Sequence, residues 1–329
     1  MIKTKCLTKE YQLMGSNNKK GFSKIREFFK PVINKKIAVN NLNLSIHSGE
    51  IIGFIGSNGA GKSTTLKLLT GLLLPTSGEI EVFGVNPYKN KRKLSKKIGF
   101  LMGNKSNLWW DLPLIDSFNM LRMIYDIPKN EYNQWSSYLI EMLDVASFIQ
   151  TPVRQLSLGQ RMRGECIATF LHQPELVYLD EPNIGLDIES KKKMNDFILN
   201  INREQNTTII LTTHDITDIQ KICERMILMD KSFCIYDGAV KNFIGKYGKF
   251  KIFSLETSSK EPPTLLIDGV KLLENNAYSK EYLYDTSKYT ENNIMLEISK
   301  LTHITNINFK VLDLTTVLNI YYEEYRNGN

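Results

Sequence analysis

Much that a chain of 329 residues can carry is missing from this one. Its longest apolar stretches, such as Glu50 to Ile55 and Leu176 to Leu179, fall far short of the roughly 18 to 20 residues that span a bilayer, which excludes a self-sufficient transmembrane helix. Behind Met1-Ile2-Lys3-Thr4-Lys5 there is no apolar h-region, so no secretory signal is expected and the protein should stay in the cytosol. Cysteine is scarce and scattered: Cys6, Cys166, Cys223 and Cys234 show no CxxC spacing and no neighbouring histidine cluster. That pattern argues against a zinc site and a disulfide framework, and predicts reduced thiols, at least two of them in the core.

A hydrophobic share of 42% is enough for a full core, in one large domain or two moderate ones. The formal charge of +7 is unevenly placed. Between Gly15 and Lys36 stand Lys19, Lys20, Lys24, Arg26, Lys30, Lys35 and Lys36 against a single acid, Glu27, marking a basic insertion over about 14–36. Within it Phe22, Ile25 and Phe29 recur at helical spacing with Pro31 behind them, the pattern of a short basic amphipathic helix. Such a helix suits anionic lipid across 19–36, or equally a solvated face packed on its own domain.

The apolar pattern then organises the chain. Alternation at Val39, Leu42, Leu44 and Ile46 leads through Ser48-Gly49-Glu50 into a buried-strand run, Ile51-Ile52-Gly53-Phe54-Ile55. From Asp116 to about Phe148 the spacing becomes helical, broken at Pro128, as for a helical insertion over about 104–160. Strands at Leu176 to Leu179, Thr208 to Thr213 and Met226 to Met229 alternate with helices at Ser190 to Arg203 and Ile216 to Glu224, the signature of a mostly parallel α/β sheet. The pattern changes near Lys246-Tyr247-Gly248. This predicts a division into 1–246 and a small α+β appendage over 247–329, with strands at Phe250 to Leu255 and Ile307 to Val311 and helices at Asn293 to Leu301 and Leu314 to Tyr325.

Gly56-Ser57-Asn58-Gly59-Ala60-Gly61-Lys62-Ser63, with Thr64 behind it, fits the G-x-x-x-x-G-K-S/T phosphate loop between a strand and a helix. Glycines let consecutive N–H groups face phosphate oxygens, and the helix N-terminus adds its positive end. Lys62 should reach the β and γ phosphates of ATP, and Ser63 should ligate Mg²⁺. The strand Leu176-Val177-Tyr178-Leu179 ends in Asp180-Glu181; Asp180 would hold Mg²⁺ and Glu181 would polarise the attacking water. A buried strand ending in a solvated Asp-Glu turn gives the same letters, so this second motif takes its force from the first.

Between them, Leu156-Ser157-Leu158-Gly159-Gln160 resembles the signature of the ABC transporter ATP-binding subunits, and the remaining motifs of that family follow in order. Gly185-Leu186-Asp187 resembles the D-loop, His214 the switch histidine, and Tyr11 the aromatic that stacks on adenine. The resemblance covers roughly residues 3 to 245. It implies a P-loop NTPase core, an N-terminal antiparallel β-subdomain, the inserted helical subdomain and the C-terminal α+β appendage. It also implies a sandwich dimer, homomeric or with a paralogue, in which Ser157, Leu158, Gly159 and Gln160 of one subunit meet ATP on the other. Three positions depart from the family pattern: Leu158 replaces a glycine, Asn104 stands where a Mg²⁺-contacting glutamine is usual, and Asn183 replaces Thr or Ser, a change expected to be silent.

Leu108-Trp109-Trp110-Asp111-Leu112-Pro113 and the stretch TPVRQLSLGQRMR resemble a bacterial exporter branch in which a single-domain ATPase pairs with a separate permease for drugs, peptides or lipids. In such subunits the region of Trp109 and Trp110 receives a short helix from the membrane partner. The resemblance therefore implies an ATPase at the cytoplasmic face of the membrane, with no nucleic acid as partner. The rival class is a soluble ABC ATPase acting on nucleic acid or ribosomes; it suits the basic charge but commonly carries two cassettes or a long coiled-coil insertion.

Overall fold

The structure, a computed structural model, describes residues 1–14, 33–102, 105–213, 216–257, 264–265, 267–300 and 304–327. The amphipathic pattern at Phe22, Ile25 and Phe29, together with Asn104 and His214, lies outside the described residues. The chain forms two compact units, Met1–Gly238 and Ala239–Asn329.

Two sheets build the first unit. The antiparallel one joins β1 (Ile2–Met14) to β2 (Ile33–Ile46) on one side and to β4 (Ser77–Val82) on the other. The basic insertion therefore ends earlier than expected, because 33–36 belong to β2. There the register sets Lys36 opposite Tyr11 and Lys35 opposite Gln12, and Lys35 pairs with Glu10 at 3.4 Å, so the lysines occupy the solvated part of a ribbon.

The second sheet runs in the order β5 (Ile98–Leu101), β6 (Leu176–Asp180), β7 (Thr208–Thr212), β3 (Ile51–Gly56), β8 (Arg225–Asp230) and β9 (Phe233–Ala239). From β5 across to β8 the neighbours are parallel. Parallel strands lie between layers and are buried on both faces, hence the unbroken apolar runs in β3, β7 and β8. Phe54, Tyr178, Ile210 and Ile227 from four of these strands share a core with Leu42 and Val82 of the antiparallel sheet.

The helices of this unit are α1 (Lys62–Leu69), α2 (Lys91–Ser95), α3 (Leu114–Ile124), α4 (Lys129–Met142), α5 (Leu158–Phe170), α6 (Ile188–Gln205) and α7 (Ile216–Ile222). Pro113 and Pro128 precede α3 and α4, where a missing N–H costs nothing. The helical region runs on to Phe170, past the expected limit near 160, because Gln160 lies in the first turn of α5.

In the second unit a four-stranded antiparallel sheet is ordered β11 (Val270–Asn275), β12 (Ser279–Asp285), β10 (Phe250–Thr257), β13 (Ile304–Val311). It is accompanied by α8 (Val240–Lys246), α9 (Glu291–Ile298) and α10 (Leu314–Asn327). The division falls earlier than the expected 246/247 because α8 belongs here: Phe243 meets Tyr321 of α10 at 5.1 Å between ring centroids. Phe253, Tyr282, Tyr284 and Ile294 lead a separate core. β11 and β12 add two strands to the two expected.

Among the described residues no helix is long and apolar enough to cross a membrane. All four cysteines are free, Cys166 and Cys223 being buried.

Candidate functional site

β3 delivers the phosphate loop. The chain leaves it at Gly56 and re-enters regular structure at Lys62, the first residue of α1. Gly61 is required by geometry: its φ is 110°, and a Cβ there would lie 2.3 Å from the Ala38 carbonyl oxygen. The Ala60 amide donates to the Ser57 carbonyl at 3.1 Å, closing the turn. Lys62 is only 8% exposed, and its Nζ donates to the carbonyls of Gly56 at 2.6 Å and Ser57 at 3.3 Å. Burial lowers the pKa of this ammonium, while the charges of Glu181 and Asp180 oppose that lowering and so favour its protonated form.

Those two acids come from β6. In the sheet Asp180 pairs with Thr212 of β7, and the Thr212 hydroxyl donates to Asp180 Oδ1 at 2.5 Å. The next amide, Glu181 N–H, donates to the Thr212 carbonyl at 3.0 Å. Glu181 has a φ of 57°, a left-handed conformation that costs free energy outside glycine and turns the chain sharply as it leaves the sheet.

Loop and acids face one cleft of about 460 Å³. Tyr11, Asn58, Gly59, Gly61, Lys62, Ser63, Thr64, Asp180 and Glu181 line it, so most of the expected ATP and metal residues stand together. Gly56, Ser57 and Ala60 shape the loop from behind. Lys36 and Ala38 also line the cleft, and sequence reasoning missed both. The register that sets Lys36 against Tyr11 is the signal, and it becomes visible only once β1 and β2 are paired. Ser63 and Asp180 offer oxygen donors in this cleft, as Mg²⁺ prefers. Among the described residues no group of three His, Cys, Asp or Glu side chains gathers to hold a metal alone, which fits an ion completed by phosphate and water.

The signature lies elsewhere. Ser157, Leu158, Gly159 and Gln160 are not among the residues lining this cleft, nor is Asp187. Ser157 caps α5 in a reciprocal box: its hydroxyl accepts from the Gln160 amide at 3.2 Å, and the Gln160 side chain accepts from the Ser157 amide at 2.9 Å. Leu158, the departure from glycine, lies over Gly185. A Cβ on Gly185, whose φ is +71°, would come within 2.3 Å of Leu158 Cδ2. Asp187 caps α6 by accepting from the Ser190 amide at 2.7 Å, and that bond holds its carboxyl below the usual range. Asn183, the third departure, is buried at 6% exposure and hydrogen-bonded to Asn195 and Asp218.

A second cavity, of about 240 Å³, opens between the α/β layers and the helical region. Leu72, Leu94 and Phe100 line it from one side, and Leu121, Tyr125 and His172 from the other. His172 stacks on Tyr125 with centroids 4.0 Å apart, and burial brings its pKa down to about 4. Trp109 is half-buried, its amide donating to the Ser117 hydroxyl at 3.1 Å. Trp110 is 53% exposed, with the Arg161 guanidinium 5.8 Å from its ring centroid.

Comparison with known proteins decides the family. Residues 39–183 match the family described as "ABC transporter". The bacitracin transport ATP-binding protein BcrA of Bacillus licheniformis is 30% identical over 224 residues, 68% of this chain and 72% of that one. This chain belongs to the ABC transporter ATP-binding family. Another ABC relative, the methionine import ATP-binding protein MetN 2 of Enterococcus faecalis, is 31% identical over 226 residues, 68% of this chain and 65% of its own length. Among solved structures, the dimeric ATP-binding cassette MJ0796, in a post-hydrolysis state bound to ADP and Pi, superposes with a TM-score of 0.61 at 25% identity, covering 73% of this chain and 99% of that one. The chain thus carries the fold of an ABC ATPase cassette.

Proposed function

We propose that this chain is the ATP-binding subunit of an exporter, hydrolysing ATP between two head-to-tail subunits, homomeric or paralogous, to drive a partner permease from the cytoplasmic face of the membrane. The observation that carries the dimer is the separation of the two motifs: the phosphate loop and acids line one cleft, while the capped signature helix presents exposed Ser157 and Leu158 away from it. A subunit built this way offers ATP half a site and needs a second signature to finish it. In the completed site Lys62 binds the β and γ phosphates and Ser157 and Gly159 meet the γ-phosphate in trans. Tyr11 stacks on adenine, and Ser63 and Asp180 would hold Mg²⁺, which neutralises phosphate charge. Glu181 takes the proton of the attacking water, with His214 and Asp187 in the family's supporting roles and Asn104 as a candidate water or Mg²⁺ contact.

The groove beside Leu121, Tyr125 and His172 suits the short cytosolic helix of a permease, and exposed Trp110, which lines a separate cleft with Arg161 and Glu165, offers an aromatic anchor. The LWWDLP stretch around it favours export of a drug, peptide or lipid, and the basic 19–36 segment favours a supporting contact with anionic lipid. Import is the second reading, favoured by the likeness to MetN 2. To decide, Glu181→Gln is trapped with ATP and the membrane chain that co-purifies is reconstituted with wild type in inside-out vesicles. ATP-driven uptake of labelled cargo means export; uptake only by right-side-out vesicles means import. A soluble dimer carrying ribosomes or nucleic acid would overturn both.

A further inference from the structure

The loop from Glu181 to Asp187 carries the proposed base at one end and the cap of α6 at the other. Its start is pinned to β7 by the Glu181 amide, and internal turns run from the Ile184 amide to the Glu181 carbonyl at 3.2 Å and from the Leu186 amide to the Asn183 carbonyl at 3.3 Å. These bonds fix the local path, and Leu158 of α5 packs over Gly185; neither reaches the side of the loop that faces α6 and α7. Glu181 meanwhile holds a left-handed backbone at φ 57°, a conformation that persists only where the surroundings over-determine it.

Three buried polar side chains hold the loop on that side. Asn183 Nδ2 donates to Asn195 Oδ1 at 2.9 Å and to Asp218 Oδ2 at 2.8 Å, and Asn195 Nδ2 donates to Asp218 Oδ1 at 3.0 Å. The bonds close a triangle. Each residue belongs to a different element: Asn183 to the loop, Asn195 to α6, Asp218 to α7. All three are nearly sealed, at 6%, 8% and 3% exposure. α7 begins two positions after His214 in the sequence. Apolar side chains would fill this space without direction, whereas a buried hydrogen-bond triangle accepts one arrangement and is costly in any other.

We propose that Asn183, Asn195 and Asp218 are positioning residues for ATP hydrolysis: together they lock the loop that presents Glu181 to the helix that follows His214. None of them lines the nucleotide cleft, so each acts through Glu181 and the loop rather than on ATP. The inference rests on the assignment of Glu181 as the base.

The test compares Asn183→Ala, the isosteric Asp218→Asn and their double variant with Glu181→Gln in the full-length chain, under the conditions in which wild type turns over. ATPase kinetics, ATP affinity and thermal midpoint are measured for each. Leu139→Ala serves as a control, since Leu139 is fully buried in α4 and is no member of the triangle. Expected are a fall in kcat of about tenfold or more for both single variants, a KM for ATP within about twofold, and a double variant no slower than the slower single, because residues acting as one unit are not additive. Leu139→Ala should lower the midpoint and leave kcat alone. The inference is overturned if kcat holds within twofold in both single variants, if the control loses kcat as they do for the same drop in midpoint, or if KM rises in place of the fall in kcat. Wild-type turnover by Glu181→Gln would remove the base assignment instead; an inactive Glu181→Gln beside a fully active Asn183→Ala would remove only the triangle.

Discussion

The central sheet of the first unit and the sheet of the second place their polar groups differently, and strand direction is the reason. In the first, β3, β6 and β7 run parallel, so their C-terminal ends share one edge and bring Gly56, Asp180 and Thr212 together. Ligands of open parallel sheets bind at that edge. In the second, β10 is antiparallel to both β12 and β13, and strand ends are divided between two edges. Two of its buried charged groups are satisfied locally: Lys280 donates to Thr264 at 2.6 Å, and Asp285 accepts from the Ser287 amide at 2.9 Å. Chemistry gathers where polarity lets strand ends converge.

The comparison can be broken, starting from its largest expected effect. Glu181→Gln should lower kcat by about 10²- to 10⁴-fold, the range of a lost general base, while ATP still binds; steady-state turnover and a titration with labelled ATP read both sides. Phe253 is fully buried and stacks on Tyr282 at 5.1 Å. Its replacement by alanine should cost the second unit about 3–5 kcal/mol and leave the Kd for ATP unchanged, as hydrogen exchange and nucleotide titration would report. A shifted Kd would mean that the second core supports the first site.

The first unit carries a pH effect at a buried histidine. His172, brought from 6.5 to about 4 by burial, stays neutral in the fold while the unfolded chain takes up its proton below pH 6.5. Its contribution is therefore complete above pH 6.5 and is lost as pH falls towards 4, by up to about 3 kcal/mol. Urea midpoints at pH 7 and 4.5 test this, and His172→Gln should flatten the difference. The smallest effect is at the mouth of the cleft: Tyr11→Ala should weaken ATP by about 1–3 kcal/mol if the ring stacks on the base, and an unchanged Kd would remove Tyr11 from the site.

What could be read from the letters divides along the same line. Buried parallel strands write themselves as continuous apolar runs, and the phosphate loop must keep its glycines, so β3, β6, β7 and β8 stood out. β12 hid because Lys280 and Asp285, near its two ends and on opposite faces, shorten its apolar run even though both are buried in the fold. Lys36 was counted with its charged neighbours, and only strand pairing turns it towards Tyr11. The burial of Asn183 was hidden for a related reason: a polar letter beside an acidic turn gives no sign that it is sealed between helices. Pairing across the chain decides such cases, and a single sequence does not display it.

The packing of Leu158 on Gly185 ties two positions into one genetic unit. Either residue can change only within what the other permits: a methyl on residue 185 collides with the leucine, and the backbone there already disfavours anything but glycine. A library randomised at both positions and selected for transport should return small residues at 185 whenever 158 is large. Reversion of 158 to the glycine usual in the family should be what first lets 185 drift.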